Sequence, residues 1–346
     1  MIVPLKVLTI GDTHFKTNNV KESLEMCTKL YDLVDTEHID VILHMGDTLN
    51  DHERIHVVPL VNAIKFITTL ANKKKERENI MLMGNHDFAN NNAFLSEYHP
   101  FNGLKGIQNL TIVDKVIVKE FKGMKFVFIP YVHPGRLYEV LATNKDVGDL
   151  KSVKVFFGHH EIYGGKMGAV VSTAGDKWPL DNPYFISGHV HDYCRPQDNV
   201  VYVGTPMQHA FGDRDDKTVS IWTIYPDQPP IEKRIDLGLT KKMILTLKSS
   251  EVVSWKPPAG YMFKLIVEGT NSEIKALMKL DYVKTLVKKG IKIVYNTIDE
   301  INIGINKKIN FNEVRLSFQE RVKIEANKSE DQLYWFNKIF VNNFMN

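Results

Sequence analysis

Five short polar motifs carry side-chain types that hold divalent cations: Gly11-Asp12-Thr13-His14, Gly46-Asp47, Gly84-Asn85-His86-Asp87, Gly158-His159-His160 and Gly188-His189-Val190-His191. Carboxylate, imidazole and amide oxygen, with no thiolate, suit borderline-to-hard ions, Mn²⁺ first, with Fe²⁺, Zn²⁺ or Mg²⁺ as alternatives. Seven side chains are too many for one ion and fitting for two. Asp12, His14 and His191 would hold the first ion, and Asn85, His159 and His189 the second. Asp47 would bridge them, because a carboxylate has two oxygens to share. Such paired ions, about 3.5–4 Å apart, polarise a water and clamp the phosphoryl oxygens of an in-line displacement. His86 directly follows a ligand, so it is expected to face the substrate. There it would protonate the leaving oxygen or stabilise charge growing on the phosphate. Asp87 is read as orienting His86 or fixing its loop. His159 is preferred to His160 because it directly follows the glycine, as His189 does. Asp51 and His52 lie just past Asp47 and read as solvated loop residues, and Cys194 as a small packed thiol. An isolated Asp-x-His is common by chance, whereas five such motifs in order, each at a strand end, are not.

The elements that must position these residues are visible around them. Apolar runs at Val7–Ile10, Val41–Leu43 and Ile80–Met83 read as buried strands. Between them, Leu24, Cys27, Leu30, Tyr31 and Val34, and then Val57, Leu60, Val61, Ile64, Ile67 and Ala71, recur at helical spacing. Strand, helix, strand, helix, strand implies an α/β chain with parallel pairing. In open α/β sheets ligands gather at the carboxyl ends of strands, which is where the motifs fall. Glycine at each end is read as letting the backbone turn sharply. Ile112–Lys119 and Phe121–Ile129, flanking Lys122-Gly123, predict a β-hairpin. Further strands are expected at Val153–Phe157, Tyr184–Ser187, Val200–Val203 and Thr218–Tyr225.

The Tyr225–Pro230 stretch, or slightly later Asp236–Thr240, suggests a domain break. The expected organisation is a catalytic domain over 1–238, a small α+β unit over 239–310, and a helical region over 311–346. In the small unit, strands at Tyr261–Glu268 and Ile291–Tyr295 flank a helix at Ser272–Leu280. The last region contains an amphipathic helix at Ser329–Phe344. Residues 1–238 carry 26 Lys and Arg against 30 Asp and Glu, whereas residues 239–346 carry 18 against 11. A basic C-terminal part beside an acidic front suits contact with a polyanion. Composition, 43% hydrophobic and 25% charged, excludes a disordered, collagen-like or coiled-coil chain. Only two cysteines, Cys27 and Cys194, exclude a disulfide framework and favour a reducing, cytoplasmic compartment. No apolar run approaches the roughly 20 residues of a membrane span. The first residues turn polar too soon for a secretory signal, so the mature chain is expected to begin near Met1.

The ordered motif set resembles the calcineurin-like metallophosphoesterase superfamily. Within it, the stretch Tyr202-Val203-Gly204-Thr205-Pro206-Met207-Gln208-His209-Ala210-Phe211-Gly212-Asp213 is similar to the segment following the last histidine motif in SbcD-type DNA repair nucleases. The resemblance implies a two-layer β-sandwich flanked by helices, two Mn²⁺ ions and DNA phosphodiester hydrolysis, exo- or endonucleolytic, in double-strand-break repair or recombination. It implies a small capping domain that meets DNA, and an SbcC-like coiled-coil ATPase docked through the C-terminal helix, with a homodimer as a further possibility. The second motif lacks the Arg-Gly continuation of Ser/Thr protein phosphatases, and the third ends in Asp87 rather than Glu. These nucleases place a histidine three residues after the second-motif aspartate. Here that position is Asn50, so either His52 serves from a shifted loop or the group is missing. The competing readings are a small-molecule or cyclic-nucleotide phosphodiesterase with the same metal core, and an inactive scaffold.

Overall fold

The computed structural model describes residues 3–52, 54–168 and 170–298. Strand and helix alternate through β1 (Leu5–Ile10), α1 (Val20–Thr36), β2 (Val41–His44), α2 (Val57–Lys73), β3 (Glu78–Leu82) and β4 (Leu110–Val113). These four strands pair in parallel, as crossovers through helices require. The chain then builds a second sheet from β5 (Ile117–Phe121), β6 (Met124–Ile129), β7 (Val155–Gly158), β10 (Tyr184–Ser187), β11 (Cys194–Gln197) and β12 (Val200–Tyr202). Between β6 and β7 lies α3 (Leu137–Ala142). A two-stranded ribbon of β8 (Lys166–Met167) and β9 (Val170–Val171) lies between β7 and β10. Finally β13 (Val219–Ile224) returns antiparallel to β1, and β14 (Ile231–Ile235) pairs with β13. The two six-stranded sheets run β14-β13-β1-β2-β3-β4 and β11-β12-β10-β7-β6-β5. This is an α/β fold, the helix-flanked two-layer sandwich that the resemblance implies.

Alternation along each strand explains why the runs are apolar throughout. Leu5, Val7, Val41, Leu43, Ile80 and Leu82 point between the sheets, against Phe126, Phe128, Phe157 and Trp222. Leu8, Ile10, Ile42 and Met81 point outward, under α1 and α2. Val127, Ile129 and Phe156 cover the opposite outer face with α3. A strand buried on both faces has no polar alternation to show.

Four expectations need correcting. Ile112–Lys119 is not one strand: β4 ends at Val113 in the first sheet, and β5 begins at Ile117 in the second. Only β5 forms the hairpin with β6, through Lys122 and Gly123, both at positive φ. Helix α2 is rotated from its expected phase. Val57 and Val61 are 74% and 53% exposed, while Ala63, Phe66, Ile67, Leu70 and Ala71 are buried. Small Ala63 and Ala71 let this face approach the sheet closely enough to seat Phe66. In α1, likewise, Leu24 is exposed and Met26 takes the core position. The Tyr225–Pro230 stretch turns β13 into β14 of the same sheet instead of ending it.

Beyond β14, the three parallel strands β15 (Lys241–Lys248), β16 (Tyr261–Gly269) and β17 (Lys292–Thr297) form a separate sheet with α4 (Asn271–Met278) and α5 (Asp281–Lys288). Phe263, Leu265, Val267, Leu277, Val283 and Leu286 make its core. Thr270 and Glu273 form a reciprocal capping box at the start of α4. β15 and α5 were not anticipated. Residues 239–298 carry 11 lysines and four carboxylates, so the whole positive surplus of the C-terminal part lies in this unit. The helix expected at Ser329–Phe344, and the whole 311–346 region, lie outside the described residues.

His44, at the end of β2, sits edge-on to Phe66 with its Nε2 buried and without a hydrogen-bond partner among the described residues. Burial holds its pKa down to about 4. A depressed histidine favours the folded state above pH 6.5 and loses that advantage as pH falls through 6.5 towards 4. At pH 5 the cost is about 2 kcal/mol. His44→Leu is therefore expected to melt several degrees higher than wild type at pH 5, with a smaller gap at pH 7. An equal gap at both pH values would show that the ring's protonation is immaterial.

Candidate metal centre

All five motifs meet at one end of the sandwich. Met45 N–H donates to the Ile10 carbonyl and His14 N–H to the Asp47 carbonyl, drawing the loops after β1 and β2 together. Gly188 N–H donates to the Gly158 carbonyl, which aligns the loops after β7 and β10. Between the layers, the amide of Tyr131 donates to the Met83 carbonyl at 2.7 Å.

His14 Nε2 lies 3.0 Å from His191 Nε2, and His191 Nε2 lies 3.9 Å from an Asp12 oxygen. On the other side, His159 Nε2 lies 3.2 Å from Asn85 Oδ1 and 3.3 Å from His189 Nδ1, which is itself 3.0 Å from Asn85 Oδ1. Asp47 stands between the two groups. Its Oδ2 is 3.7 Å from His14 Nε2, and its Oδ1 is 3.3 Å from His159 Nε2. His159 Nδ1–H donates to the Met45 carbonyl at 2.8 Å, so Nε2 is the ring nitrogen that faces inward. Ligand atoms of Asp12, His14 and His191 lie within 4.8 Å of one another, as do those of Asp47, His159 and His189.

Lone pairs converging on lone pairs need a positive charge between them. Burial works against a charge on His159, yet the carboxylates of Asp47 and Asp12 outweigh it and lift its pKa to about 9. Burial also pushes Asp47 up, but His159, His14 and His86 prevail and hold it well below the usual carboxylate range. Burial, with His159 adding to it, drives His189 down to about 3, and burial drives His14 far below its ordinary value, so both are neutral donors. An ionised Asp47, neutral His14 and His189 and the Asn85 amide oxygen are what a divalent cation binds. His159 joins them by giving up its Nε2 proton, since a cation among these carboxylates takes over the charge that the proton supplies.

His86 hangs at the mouth, half-buried, with Nε2 4.0 Å from Asp47 Oδ2. Its amide donates to Asp47 Oδ1 at 2.9 Å, and its Nδ1 lies 2.6 Å from the Asn50 carbonyl. The His52 ring stacks on it at 4.5 Å. Position 50 thus acts through its backbone, and His52 backs His86 from behind. Asp87 faces away from the centre and accepts from the amides of Gly84, Thr48 and Leu49. Burial and the Asp47 charge push its pKa up to about 7. His160 lies outside the cluster, edge-on to Phe185, with neither ring nitrogen bonded among the described residues.

Residues 5–193 match the family described as calcineurin-like phosphoesterase. The chain belongs to that family. As a calcineurin-like phosphoesterase it is a hydrolase of phosphate esters that works with divalent metals, and the convergent donors above fit them. It is 37% identical over 293 residues to "Putative phosphoesterase 078R" of Invertebrate iridescent virus 3, covering 84% of this chain and 83% of that protein. It is 38% identical over 284 residues to "Putative phosphoesterase 244L" of Invertebrate iridescent virus 6, covering 79% and 97%. A more distant likeness, 25% over 199 residues, joins it to the DNA double-strand break repair protein Mre11 of Saccharolobus solfataricus, covering 55% of this chain and 50% of that one. Among solved structures, TT1561 of Thermus thermophilus aligns over 67% of this chain and 99% of that one, at 10% identity and a TM-score of 0.42. No helix among the described residues is long and apolar enough to cross a membrane.

In this phosphoesterase four of the five motif glycines do a different job from the expected one. Only Gly46 has a positive φ, +99°; the left-handed backbone sits instead at His14, Asp47 and His189. Such strain in non-glycine residues is typical of functional sites. The glycines provide room. A Cβ on Gly84 would lie 2.2 Å from both the amide nitrogen and Oδ1 of Asp47, and one on Gly188 would lie 2.7 Å from Asp12 Oδ1. Gly84→Ala is therefore expected to displace the Asp47 carboxylate and to lower phosphodiester turnover at least about 100-fold at saturating metal. Wild-type rates in the folded variant would show that the carboxylate is not held by this contact.

Two rings at the centre escaped the motif reading. Tyr131 stacks on His189 at 5.8 Å and stands edge-on to His159 at 6.2 Å. It follows the end of β6 without a glycine, so only its strand-end position could have revealed it. His209 stands edge-on to His14 and His191, at 5.0 and 5.6 Å. Its signal was its place in the Tyr202–Asp213 stretch.

Proposed function

We propose that this phosphoesterase is a Mn²⁺-dependent DNA nuclease of the SbcD type, hydrolysing phosphodiester bonds in double-strand-break repair or recombination. The observation that carries the reading is the Tyr202–Asp213 stretch, similar to the segment that follows the last histidine motif in those nucleases, which brings His209 against His14 and His191. Tyr202 Oη accepts from the Ile162 amide and donates to the His160 carbonyl, anchoring the start of the stretch beneath the β7 loop. Asp213 accepts from the amides of His209 and Ala210, folding its other end. The likeness to Mre11 over 199 residues and the lysine-rich β15–β17 unit support the same substrate class. When bound, the ions polarise a water and neutralise charge on the phosphoryl oxygens. In this reading Asp12, His14 and His191 hold one, Asn85, His159 and His189 the other, and Asp47 both. His86, fixed by the Asn50 carbonyl and the His52 ring, presents Nε2 to the leaving oxygen. An SbcC-like ATPase would dock through residues 311–346, and a second copy of the chain is a further proposed partner.

The test is digestion of linear and hairpin DNA duplexes with Mn²⁺, with and without the ATPase. Mn²⁺-dependent, salt-sensitive cleavage is expected, because lysine–phosphate contacts weaken as salt rises. Turnover of bis-p-nitrophenyl phosphate or cyclic nucleotides with duplexes left intact and unbound would overturn the nuclease reading. It would favour a small-molecule phosphodiesterase with the same core.

A further inference from the structure

His209 is not among the residues assigned to the ions, yet its contacts are confined to one half of the centre. Its Nε2–H donates to the backbone carbonyl of Asp12 at 2.9 Å. Its ring stands edge-on to His14 and His191, at 5.0 and 5.6 Å. None of these contacts reaches Asn85, His159 or His189. The loop it touches is under strain. His14 sits at φ +42°, in the left-handed region that costs a non-glycine residue about 1–3 kcal/mol unless its surroundings impose it. A second side-chain clamp on this backbone is the Asn19 amide, which donates to the His14 carbonyl at 2.9 Å.

The ring is itself held at both ends of its peptide. The His209 amide donates to Asp213 Oδ2 at 2.7 Å. Its carbonyl accepts from the ammonium groups of Lys16 at 3.4 Å and of Lys242, on β15, at 3.3 Å. A ring fixed in this way can fix its neighbours.

We propose that His209 is a positioning residue for the Asp12–His14–His191 half of the centre, setting the affinity of that half for its ion without setting that of the other. The inference rests on the two-ion reading of the centre and is independent of the DNA substrate.

The experiment is Mn²⁺ titration of the metal-free full chain by calorimetry, with electron paramagnetic resonance to count bound ions, on wild type, His209→Phe and His209→Gln. Phenylalanine keeps the ring packing and removes the donor; glutamine places an amide N–H where Nε2–H stood. Wild type should bind two ions. His209→Phe should bind one with wild-type affinity and the other at least about 10-fold more weakly, the loss seen when a partner behind the ligands is removed. His209→Gln should recover most of that loss. Equal weakening of both ions, no weakening, or a glutamine variant no better than phenylalanine would each overturn the proposal. Fewer than two ions in wild type would sink the two-ion reading itself, whereas intact two-ion binding without DNA cleavage would sink only the nuclease reading.

Discussion

Asp47→Ala is expected to lose both ions together and to reduce phosphodiester hydrolysis to background. The carboxylate faces His14 with one oxygen and His159 with the other, so no other side chain can replace it for either half. Alanine would also release the His86 amide, which donates to Oδ1. Asp47→Asn separates these effects, since its amide oxygen can still accept from His86 while the shared charge is gone. Both variants should fail to bind two Mn²⁺ ions in calorimetry. Retention of one site at full affinity in Asp47→Asn would contradict the bridging role.

His86→Ala should behave in the opposite way. It removes an imidazole whose Nδ1 is taken up by Asn50 and whose Nε2 faces the mouth, so metal binding should persist. Turnover should fall about 10²–10⁴-fold, the usual contribution of a positioned acid or base. Calorimetry beside kinetics on the same preparation decides the matter. The ring also lies near enough to Asp47 and His14 for the three to form a ligand group. Loss of an ion along with activity would make His86 a ligand and remove it from the leaving-group side. His52→Ala should give a smaller loss in the same direction, because it strips the ring that backs His86.

The strands that carry the centre could be read directly because each is buried on both faces and stops at a glycine motif. Val7–Ile10, Val41–Leu43 and Ile80–Met83 are uninterrupted apolar runs for that reason. The same burial hid the phase of α2. Val57, Val58, Leu60, Val61, Ile64 and Ile67 make the helix apolar nearly all round, and only close packing of Ala63 and Ala71 decides which stripe faces inward. The crossing from β4 to β5 was illegible because three residues, Asp114–Val116, separate two strands of different sheets. β15 was missed because Lys241–Lys248 exposes half of its residues, buries only Lys242 and carries three lysines. At the centre, sequence spacing marked the donors but not what holds them. His209 and Tyr131 act through ring contacts between distant loops, which no local pattern encodes. The motif glycines were legible as positions, but only Gly46 takes a left-handed turn, and what Gly84 and Gly188 provide is clearance for Asp47, Asp12 and His159.

The central claim is that seven side chains from five loops seat two ions on either side of one carboxylate. Anomalous diffraction at the manganese edge, from crystals of the full chain grown with Mn²⁺, tests it directly. Two peaks are expected, one among Asp12, His14 and His191, the other among Asn85, His159 and His189, each in contact with a different oxygen of Asp47. A single peak, or a pair that leaves Asp47 uncoordinated, would contradict it.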